Sequence, residues 1–333
     1  MAVTAKDIAK ELNISAAAVS MALNNKPGVS DETRALVFET AERMGFKLSK
    51  KMMKRNNKMI AFIFFHKNFI FETPFFSQLG KGVEGHLKDN GYHMNAYHIH
   101  ERDNIQQELQ KILDDDPLGI ILLGTLASDN EIEFFNHLSV PVVVLDSYFE
   151  NFDSDTVVIN NVEGAKRMTS YLISRCKTCP GYISSRVSFK NLEERADGFY
   201  AALRKNGYHS AQAIVHKVIP STEGAYGEML EIINSGTPLA ECYFCDNDEI
   251  ALGAMRAFLE KGYRIPEDIS IAGFDNMYYS QYVDPPLTSL DVPKGFMGQM
   301  AAQLILIRLA NDSQVSPVKV EINTKLVVRK SVK

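Results

Sequence analysis

Four cysteines are the residues whose spacing first suggests chemistry. They form two Cys-x-x-Cys pairs, Cys176 with Cys179 and Cys242 with Cys245, and this spacing is typical of zinc sites. The segment "ECYFCDND" follows a turn-like "GTPLA" and predicts a strand, on which Cys242 and Cys245 point to opposite faces. The other pair lies at a predicted helix-to-strand turn, in "SRCKTCPGYI". We therefore expect the reduced thiols that are usual in a cytosolic protein, and no metal site.

The sequence contains none of the common catalytic or nucleotide-binding motifs. It has no GxGxxG segment opening a helix, no Walker loop, no HExxH and no GxSxG. Its eight histidines are scattered, and although His93, His98 and His100 lie near one predicted strand, no second cluster joins them. The sequence therefore favours a binding protein over an enzyme, and no cofactor is expected.

The charge of the chain is divided unevenly. Residues 1–58 contain 11 Lys or Arg and 6 Asp or Glu, which gives +5, whereas the remainder carries −10 within a total of −5. A basic module on an acidic body suggests binding to a polyanion, although a short segment can also reach this charge by chance. Residues 46–58 hold six basic and no acidic residues, and they are predicted to be a linker.

Residues 1–45 have the pattern of a small all-helical domain. Thr4, Ser15 and Ser30 each stand where they can cap the start of a helix, and Gly45 stands where the third helix would end. Only Leu12–Ile14 would join the first two helices, which is the tight connection of a helix-turn-helix. The second helix, "AAAVSMAL", offers few hydrogen-bonding side chains, so it could either read DNA or only pack.

From Met59 onwards, apolar strands alternate with amphipathic helices. "MIAFIFF", "LGIILLG" and "PVVVLDS" predict buried strands, and the alternation restarts at "DTVVINN". This repetition predicts parallel sheets covered by helices in two similar lobes, with a ligand cleft at the carboxyl ends of the strands. No apolar run approaches the roughly 20 residues of a membrane span, and "MAVTAKDIAKEL" lacks the pattern of an export signal. A cytoplasmic protein is expected.

The sequence also resembles one known family along nearly its whole length. In the head the resemblance rests on "TAKDIAKELNISAAAVSMALNNKPGVSDETRALVFETAERMGF". In the body it rests on "PFFSQLGKGVE", "VPVVVLDS", "INNVEGAKRMTSYLI", "RADGFYAAL", "FCDNDEIALGAMRAFLEKGYRIPEDISIAGFDN" and "DPPLTSLDVP". On these segments the chain is identified as a member of the lactose-repressor/galactose-repressor (LacI/GalR) family of bacterial transcription regulators.

The resemblance implies a fold and a division into domains. It implies an α/β protein in which a small all-α helix-turn-helix head (1–45) and a basic hinge (46–58) precede a two-lobed core of periplasmic-binding-protein type with parallel sheets (59–333). The chain would cross between the lobes three times, near residues 160–164, 288–291 and 321–325. The N-terminal lobe would then hold about 59–160 and 291–321, and the C-terminal lobe about 161–288 and 322–333.

The resemblance also implies a function and partners. It implies a sequence-specific repressor that binds double-stranded operator DNA as a homodimer formed through the core, and that responds to a small-molecule effector, a sugar or sugar derivative, in the cleft between the lobes. Two alternatives remain open. One is a regulator controlled by a protein partner, as in the catabolite-control branch, and the other is a cytosolic ligand-binding protein with a non-functional head.

In the head, the resemblance assigns residues to DNA contacts. Ala16, Ala17 and Met21 would face base edges, at positions where the family usually carries polar side chains that pair with bases. Apolar contact with thymine methyls and the shape of the DNA would then supply part of the specificity. The remaining polar side chains near the bases would be Ser15, Ser20 and Asn24, and phosphates would be met by Thr4, Ser15, Ser30 and Thr33 with the helix N-termini.

The hinge departs from the family pattern, which is roughly Pro-Asn-x-x-Ala-Arg-x-Leu with the final Leu wedged into the minor groove. In an ungapped alignment the position of the wedge is Arg55. A methionine, Met52 or Met53, could take over as the wedge, or the hinge could track the backbone through residues such as Lys50 and Arg55. A disordered basic linker is the remaining alternative.

In the core, the resemblance assigns seven residues to the effector. "GFDN" supplies Asp275, and "RADGF" supplies Arg195, with Asn191 one helical turn before it. The alternative for Arg195 and Asp275 is an ion pair between the lobes without a ligand. The other four predicted effector residues are Asp146 in "VLDS", Asn247 in "CDNDEIA", and Phe75 and Phe76 in "PFF".

Overall fold

The computed structural model describes residues 3–24, 26, 28–46, 58–67, 74–311 and 316–333. At the amino terminus, three helices pack around a small apolar core in which Ile8, Val19 and Val37 are completely buried. Their bounds are α1 (Ala5–Glu11), α2 (Ala16–Leu23) and α3 (Asp31–Arg43).

Each of these helices begins at the hydroxyl residue that the sequence predicts. The side chain of Thr4 forms a capping box with Asp7, the Ser15 hydroxyl accepts the Ala18 N–H at 3.0 Å, and the Ser30 hydroxyl accepts the Thr33 N–H at 3.2 Å. Such caps satisfy backbone donors that have no partner within the helix.

The N-terminal lobe is built on a six-stranded sheet whose neighbouring strands are all parallel, in the order β11-β5-β4-β3-β1-β2. Strands β1 and β3 are almost completely buried, as expected for a sheet with helices on both faces. The elements are β1 (Met59–His66), α4 (Pro74–Asp89), β2 (His93–His100), α5 (Ile105–Asp114), β3 (Gly119–Leu123), α6 (Asp129–Ile132), β4 (Val142–Leu145), β5 (Asp155–Ile159), α11 (Lys294–Ala310) and β11 (Lys319–Ile322).

The C-terminal lobe repeats this plan with a four-stranded parallel sheet, in the order β7-β6-β8-β9. Cys242 joins the apolar core on one face of this sheet and Cys245 joins the core on the other, as the strand pattern predicts. The elements are α7 (Asn161–Cys176), β6 (Gly181–Ser185), α8 (Lys190–Lys205), β7 (Val215–Val218), α9 (Thr222–Asn234), β8 (Cys242–Cys245), α10 (Asp248–Glu260) and β9 (Ser270–Ala272).

Three connections between the lobes lie side by side. The first runs from β5 into α7 at Asn160, and the second passes through β10 (Ser289–Asp291). The third runs from β11 to β12 (Lys325–Val327), which pairs antiparallel with β10 in a separate two-stranded sheet. The carboxyl ends of both large sheets therefore face the space that these connections border.

One predicted helix is shorter than its sequence pattern suggests. "NEIEFFNHL" predicts a single helix, but α6 is only four residues long and a 3-10 turn, Glu133–Phe135, follows it. The buried residues here, Ile132 and Phe135, are three positions apart, which is the period of a 3-10 helix.

Candidate functional site

The exposed face of α2 carries small side chains. Ser15, Ala16, Ala17 and Ser20 are all exposed, whereas Met21 is half-buried. The two alanines therefore do not serve the apolar core of the head, and their exposure is what contact with another molecule requires. The inner face of α2 supplies that core instead, through side chains such as Val19 and Leu23.

The C-terminus of α2 is fixed by α3. The guanidinium of Arg34 donates hydrogen bonds to the carbonyl oxygens of Ala22 at 3.0 Å and Lys26 at 3.1 Å. The amide of Asn24 donates to the Ser20 carbonyl at 2.8 Å, so this predicted base contact is engaged with its own helix. The orientation of α2 is thus set by contacts that leave its exposed face open.

The predicted phosphate contacts lie at helix starts. Thr4 and Ser30 are exposed, and the hydroxyls of Ser30 and Thr33 lie 2.9 Å apart. The predicted hinge contacts, Lys50, Met52, Met53 and Arg55, lie outside the described residues.

The seven predicted effector residues line one cavity between the lobes, whose free space, counted together with the solvent at its mouth, is about 630 Å³. Each comes from a strand end or from a helix facing that end. Asp146 directly follows β4, Asn247 caps α10 after β8, and Asp275 follows β9. The remaining four come from the start of α4, Phe75 and Phe76, and from the first two turns of α8, Asn191 and Arg195.

Arg195 is the centre of a buried hydrogen-bond network. Its side chain is 4% exposed, and its Nη2 donates to Asp275 Oδ1 at 3.1 Å. Its Nε donates to Asn161 Oδ1 at 3.0 Å, and its Nη1 donates to the Asp246 carbonyl oxygen at 2.6 Å. The guanidinium also lies 3.7 Å from the ring centroid of Phe274. The ion pair between Arg195 and Asp275 that the sequence offers as an alternative therefore forms, but within the C-terminal lobe and not between the lobes.

Asp146 is the buried carboxyl group of the N-terminal lobe. Its Oδ2 accepts the Thr125 hydroxyl at 2.5 Å, and its backbone oxygen accepts the Asn191 amide of the other lobe at 3.1 Å. Its Oδ1 has no hydrogen-bond partner among the described residues, although it is buried. Burial raises the pKa of Asp146 to about 7.

Further carboxyl groups lie beside residues that line the cavity, since Asp246 and Asp248 flank Asn247. Asp248 accepts the hydroxyls of Ser280 at 2.6 Å and Ser289 at 2.5 Å, and burial raises its pKa to about 7. Burial also raises the pKa of Asp246, to about 6, and that of Asp275. Among the described residues around the cavity, carboxyl groups therefore outnumber Lys and Arg side chains.

Comparison with known proteins identifies both parts of the chain. Residues 4–49 match the family model for bacterial regulatory proteins of the lacI family, and residues 169–332 match the model for a periplasmic binding protein-like domain. The HTH-type transcriptional repressor PurR of Pasteurella multocida is 30% identical over 335 residues, which cover 99% of this chain and 98% of that protein. The chain belongs to the LacI family.

Solved structures agree with this assignment. A LacI family regulator from Enterococcus faecium with bound ribose has a TM-score of 0.71 at 25% identity and covers 82% of this chain and 98% of its own. The lac repressor dimer bound to operator has a TM-score of 0.75 at 19% identity, with 99% of both chains covered, and shows the shared fold. As a member of the LacI family, the protein is a transcriptional regulator and not an enzyme, as the sequence indicates.

Some residues of this LacI-family cavity are absent from the sequence-based set. Thr125 could have been found, because it follows β3 by two positions at the same sheet edge as Asp146. Glu249 and Tyr279 had no such signal, and their side chains meet in a hydrogen bond across the cavity wall. The other lining residues that the sequence did not indicate are Phe189, Leu192, Pro220 and Met277.

Among the residues described, none of the helices has the length and apolar character needed to cross a membrane. The described residues also hold no group of three or more His, Cys, Asp or Glu side chains placed to bind a metal ion.

Proposed function

We propose that this LacI-family protein is a cytoplasmic repressor that binds a palindromic operator as a homodimer and is controlled by an uncharged sugar, or a related polyol, in the interlobe cavity. The observation that carries the effector assignment is the buried Oδ1 of Asp146, which has no hydrogen-bond partner in the part of the chain that the structure describes. A buried acceptor without a donor costs free energy, and a ligand hydroxyl at this point would remove that cost.

The charges of the cavity favour a neutral ligand. Three carboxyl groups line it, Asp146, Glu249 and Asp275, against the guanidinium of Arg195, and the nearby ammonium of Lys294 donates to the backbone oxygen of Asp275. That guanidinium already donates to three protein acceptors, including Asp275, so its charge is matched before a ligand arrives. A phosphate or carboxylate group on the ligand would face these carboxyl groups without a cation reserved for it.

Polyol chemistry suits the remaining groups. Carboxyl and amide side chains accept and donate hydrogen bonds to hydroxyls in fixed directions, and the rings of Phe75 and Phe76 at the cavity mouth offer apolar faces to a sugar ring. The ribose bound by the Enterococcus faecium regulator is a ligand of this class.

DNA binding is supported by the head. The capped helix-turn-helix leaves the face of α2 exposed, and the module carries +5 against −10 for the rest of the chain. The lac repressor, which shares the fold, binds its operator as a dimer, and a two-fold dimer matches a palindromic site.

The test begins with selection of a preferred operator from randomised DNA. Fluorescence anisotropy then measures operator affinity with neutral pentoses and hexoses, with their phosphates and with uronates. We expect a neutral sugar, and none of the anions, to change operator affinity. Asp146→Asn should weaken that response about tenfold or more while leaving operator binding unchanged, because Asp146 lies outside the head. Asp197→Asn, an exposed substitution on α8, is the matched control. A response restricted to anionic sugars would contradict the proposal.

A further inference from the structure

The segment that carries the Asp275 carboxyl into the cavity has a strained backbone. Asp275 has a φ of 101° and Asn276 has a φ of 49°, so two successive residues with side chains lie in the left-handed region that favours glycine. Such conformations cost free energy and persist only where the surrounding structure holds them. The contacts of these two residues therefore decide where the Asp275 carboxyl lies.

Several hydrogen bonds hold this segment from its own side of the cleft. The Asp275 N–H donates to the Leu290 carbonyl oxygen at 2.9 Å, and the Asn276 N–H donates to the Ser289 hydroxyl at 3.0 Å. Arg329 donates to the side-chain oxygen of Asn276 at 2.7 Å. These partners belong to the C-terminal lobe or to β10, the connection that leaves it.

A further bond reaches the segment from the N-terminal lobe. Lys294 is the first residue of α11, and its Nζ donates to the carbonyl oxygen of Asp275 at 2.5 Å and to that of Val292 at 3.1 Å. The residue is 5% exposed, and its Nζ lies 5.6 Å from the ring centroid of Phe75. The ammonium group thus joins the strained segment to the wall of the N-terminal lobe that Phe75 lines.

The helix that begins at Lys294 is packed tightly against α4. A Cβ atom at Gly82 of α4 would collide with the carbonyl oxygen of Gly295, and a Cβ atom at Gly298 would collide with that of Leu79. Backbones in such close contact cannot slide past each other without collision, so α4 and α11 behave as one rigid pair. Lys294 therefore attaches the Asp275 segment to a helix pair that also lines the cavity.

The burial of a lysine at this position is not explained by the stability of the fold. Among the described residues, its hydrogen-bond acceptors are backbone oxygens, which carry only partial charges. Burial lowers the pKa of Lys294, although the carboxyl groups of Asp275 and Asp291 oppose this shift. A buried cation costs free energy, and an apolar side chain of similar length would pack there at a lower cost. The segment that the lysine holds is a better explanation for its presence.

We propose that Lys294 is the positioning residue of the effector-facing segment, and that it fixes Asp275 and Asn276 relative to the α4–α11 pair of the other lobe. Its ammonium group opposes relaxation of the left-handed backbone, so that the Asp275 carboxyl keeps its place beside Arg195. The role of Lys294 in the segment rests on contacts within the protein, whereas its effect on effector binding also rests on the proposed function.

The first test is hydrogen exchange, followed by mass spectrometry, on the full-length protein without ligand. Lys294→Met keeps an apolar side chain of similar length and removes the donor. Peptides that cover residues 274–277 should exchange about tenfold faster or more in this variant, because the strained segment loses a bond that holds it. Lys294→Arg keeps a charged donor and should restore most of the protection. Lys205→Met, an exposed substitution at the end of α8, is the matched control.

Thermal unfolding separates a positioning role from a structural one. Because Lys294→Met removes a buried charge, its unfolding midpoint should equal or exceed that of the unaltered protein. Lys294→Leu is a second variant without the donor, so a defect peculiar to one of them leaves the other to decide. Unchanged exchange of the segment in a folded variant, or a lower midpoint in both variants, would overturn the proposal.

The second test is isothermal titration calorimetry with ribose, arabinose, glucose and galactose. A sugar that binds the unaltered protein should bind Lys294→Met about tenfold or more weakly, because Asp275 is no longer held in place before the ligand arrives. Lys294→Arg should recover most of the affinity. Equal affinities in Lys294→Met and the unaltered protein would overturn the role of Lys294 in effector binding. If none of these sugars binds, the proposed effector class fails, and the exchange measurement still decides whether Lys294 positions the segment.

Discussion

We expect the exposed face of α2 and the cleft between the lobes to recognise their partners through different kinds of contact. On α2 the exposed side chains are two alanines and two serines, and none carries a charge. In the cleft, Arg195 and Asp146 are buried, Asp275 is half-buried, and hydrogen bonds fix all three side chains. A face of small side chains can distinguish DNA sequences by contact with thymine methyls and by DNA shape, while contacts to phosphates supply the affinity. Buried polar groups instead favour a ligand that offers a hydrogen-bond partner to each of them.

The largest expected effect is the loss of the head. A chain that starts at Met59 should lose operator binding altogether, since the basic residues and α2 both lie before it. Operator affinity of the full-length protein should fall steeply as salt rises from 50 to 200 mM, by about a thousandfold if roughly six phosphates are neutralised. Fluorescence anisotropy across a salt series measures both quantities. Operator binding by the shortened chain, or an operator affinity that does not change with salt, would contradict the assignment of DNA binding to the head.

The next effect concerns the cleft. Arg195→Ala should weaken effector binding about a hundredfold or more, because it removes a buried donor and leaves Asp275 unpaired. Operator affinity without effector should stay within about twofold of that of the unaltered protein, since a substitution in the core removes no DNA contact. Arg256→Ala is the matched control, because Arg256 pairs with Glu223 on the surface.

Thermal unfolding of both arginine variants separates a binding defect from a folding defect. Asp275→Asn offers a milder change at the same contact, because it keeps the size of the side chain while removing the charge. If Arg195→Ala folds and still responds at the effector concentration that suffices for the unaltered protein, the cleft assignment is wrong.

A smaller effect is expected on α2. Met21→Arg provides a side chain that can pair with N7 and O6 of guanine, and it should shift preference towards a guanine-containing half-site by about 1–3 kcal/mol. Selection from randomised operators, performed on both proteins, measures the shift. Leu36→Arg is the control, because it adds the same charge on the exposed surface of α3. It should raise the affinity for DNA without changing the preferred operator sequence. An unchanged preference in Met21→Arg would mean that α2 does not enter the groove.

The smallest effect is the dependence of effector affinity on pH. A ligand hydroxyl that donates to Asp146 favours the carboxylate, so binding should lower the pKa of Asp146 from about 7 and release a proton. Affinity should therefore rise from pH 6 to pH 8, by at most about tenfold per pH unit. Calorimetry in buffers of different ionisation enthalpy counts the protons released. Asp146→Asn should remove the pH dependence, and a dependence that survives in this variant would assign it to another group.

Stability of the unliganded protein should change in the opposite direction. Asp146 and Asp248 have folded-state pKa values of about 7, above the ordinary value of 3.8. The stability that their neutral forms contribute is fully present below the unfolded-state pKa and is lost as the pH rises through 7. Denaturant unfolding should thus give a lower free energy of unfolding at pH 8 than at pH 6, and the difference should shrink in Asp146→Asn.

The sequence predicts those parts of the molecule whose signal is local. The caps Thr4, Ser15 and Ser30 follow from residue type and position alone, whereas the assignment of Asp146 to the effector comes from the family resemblance of "VLDS". The bond between Tyr279 and Glu249 could not be predicted, because the two residues are distant in sequence and share no periodic pattern. The unpartnered Oδ1 of Asp146 likewise depends on side-chain positions in both lobes, which no local pattern encodes.

The position of strand β11 affects the order in which the parts of the protein can fold. It pairs with β5, so Lys319 lies opposite Thr156 and the N-terminal lobe needs residues from near the end of the chain to complete its sheet. Closing the long loop between these two strands is slow. During synthesis on the ribosome, the edge of β5 stays unpaired until β11 has been made. The head has no such requirement, because the apolar core of its three helices is built from residues within the first 46. The part that binds DNA can therefore fold first, while the part that senses the effector must wait for nearly the whole chain.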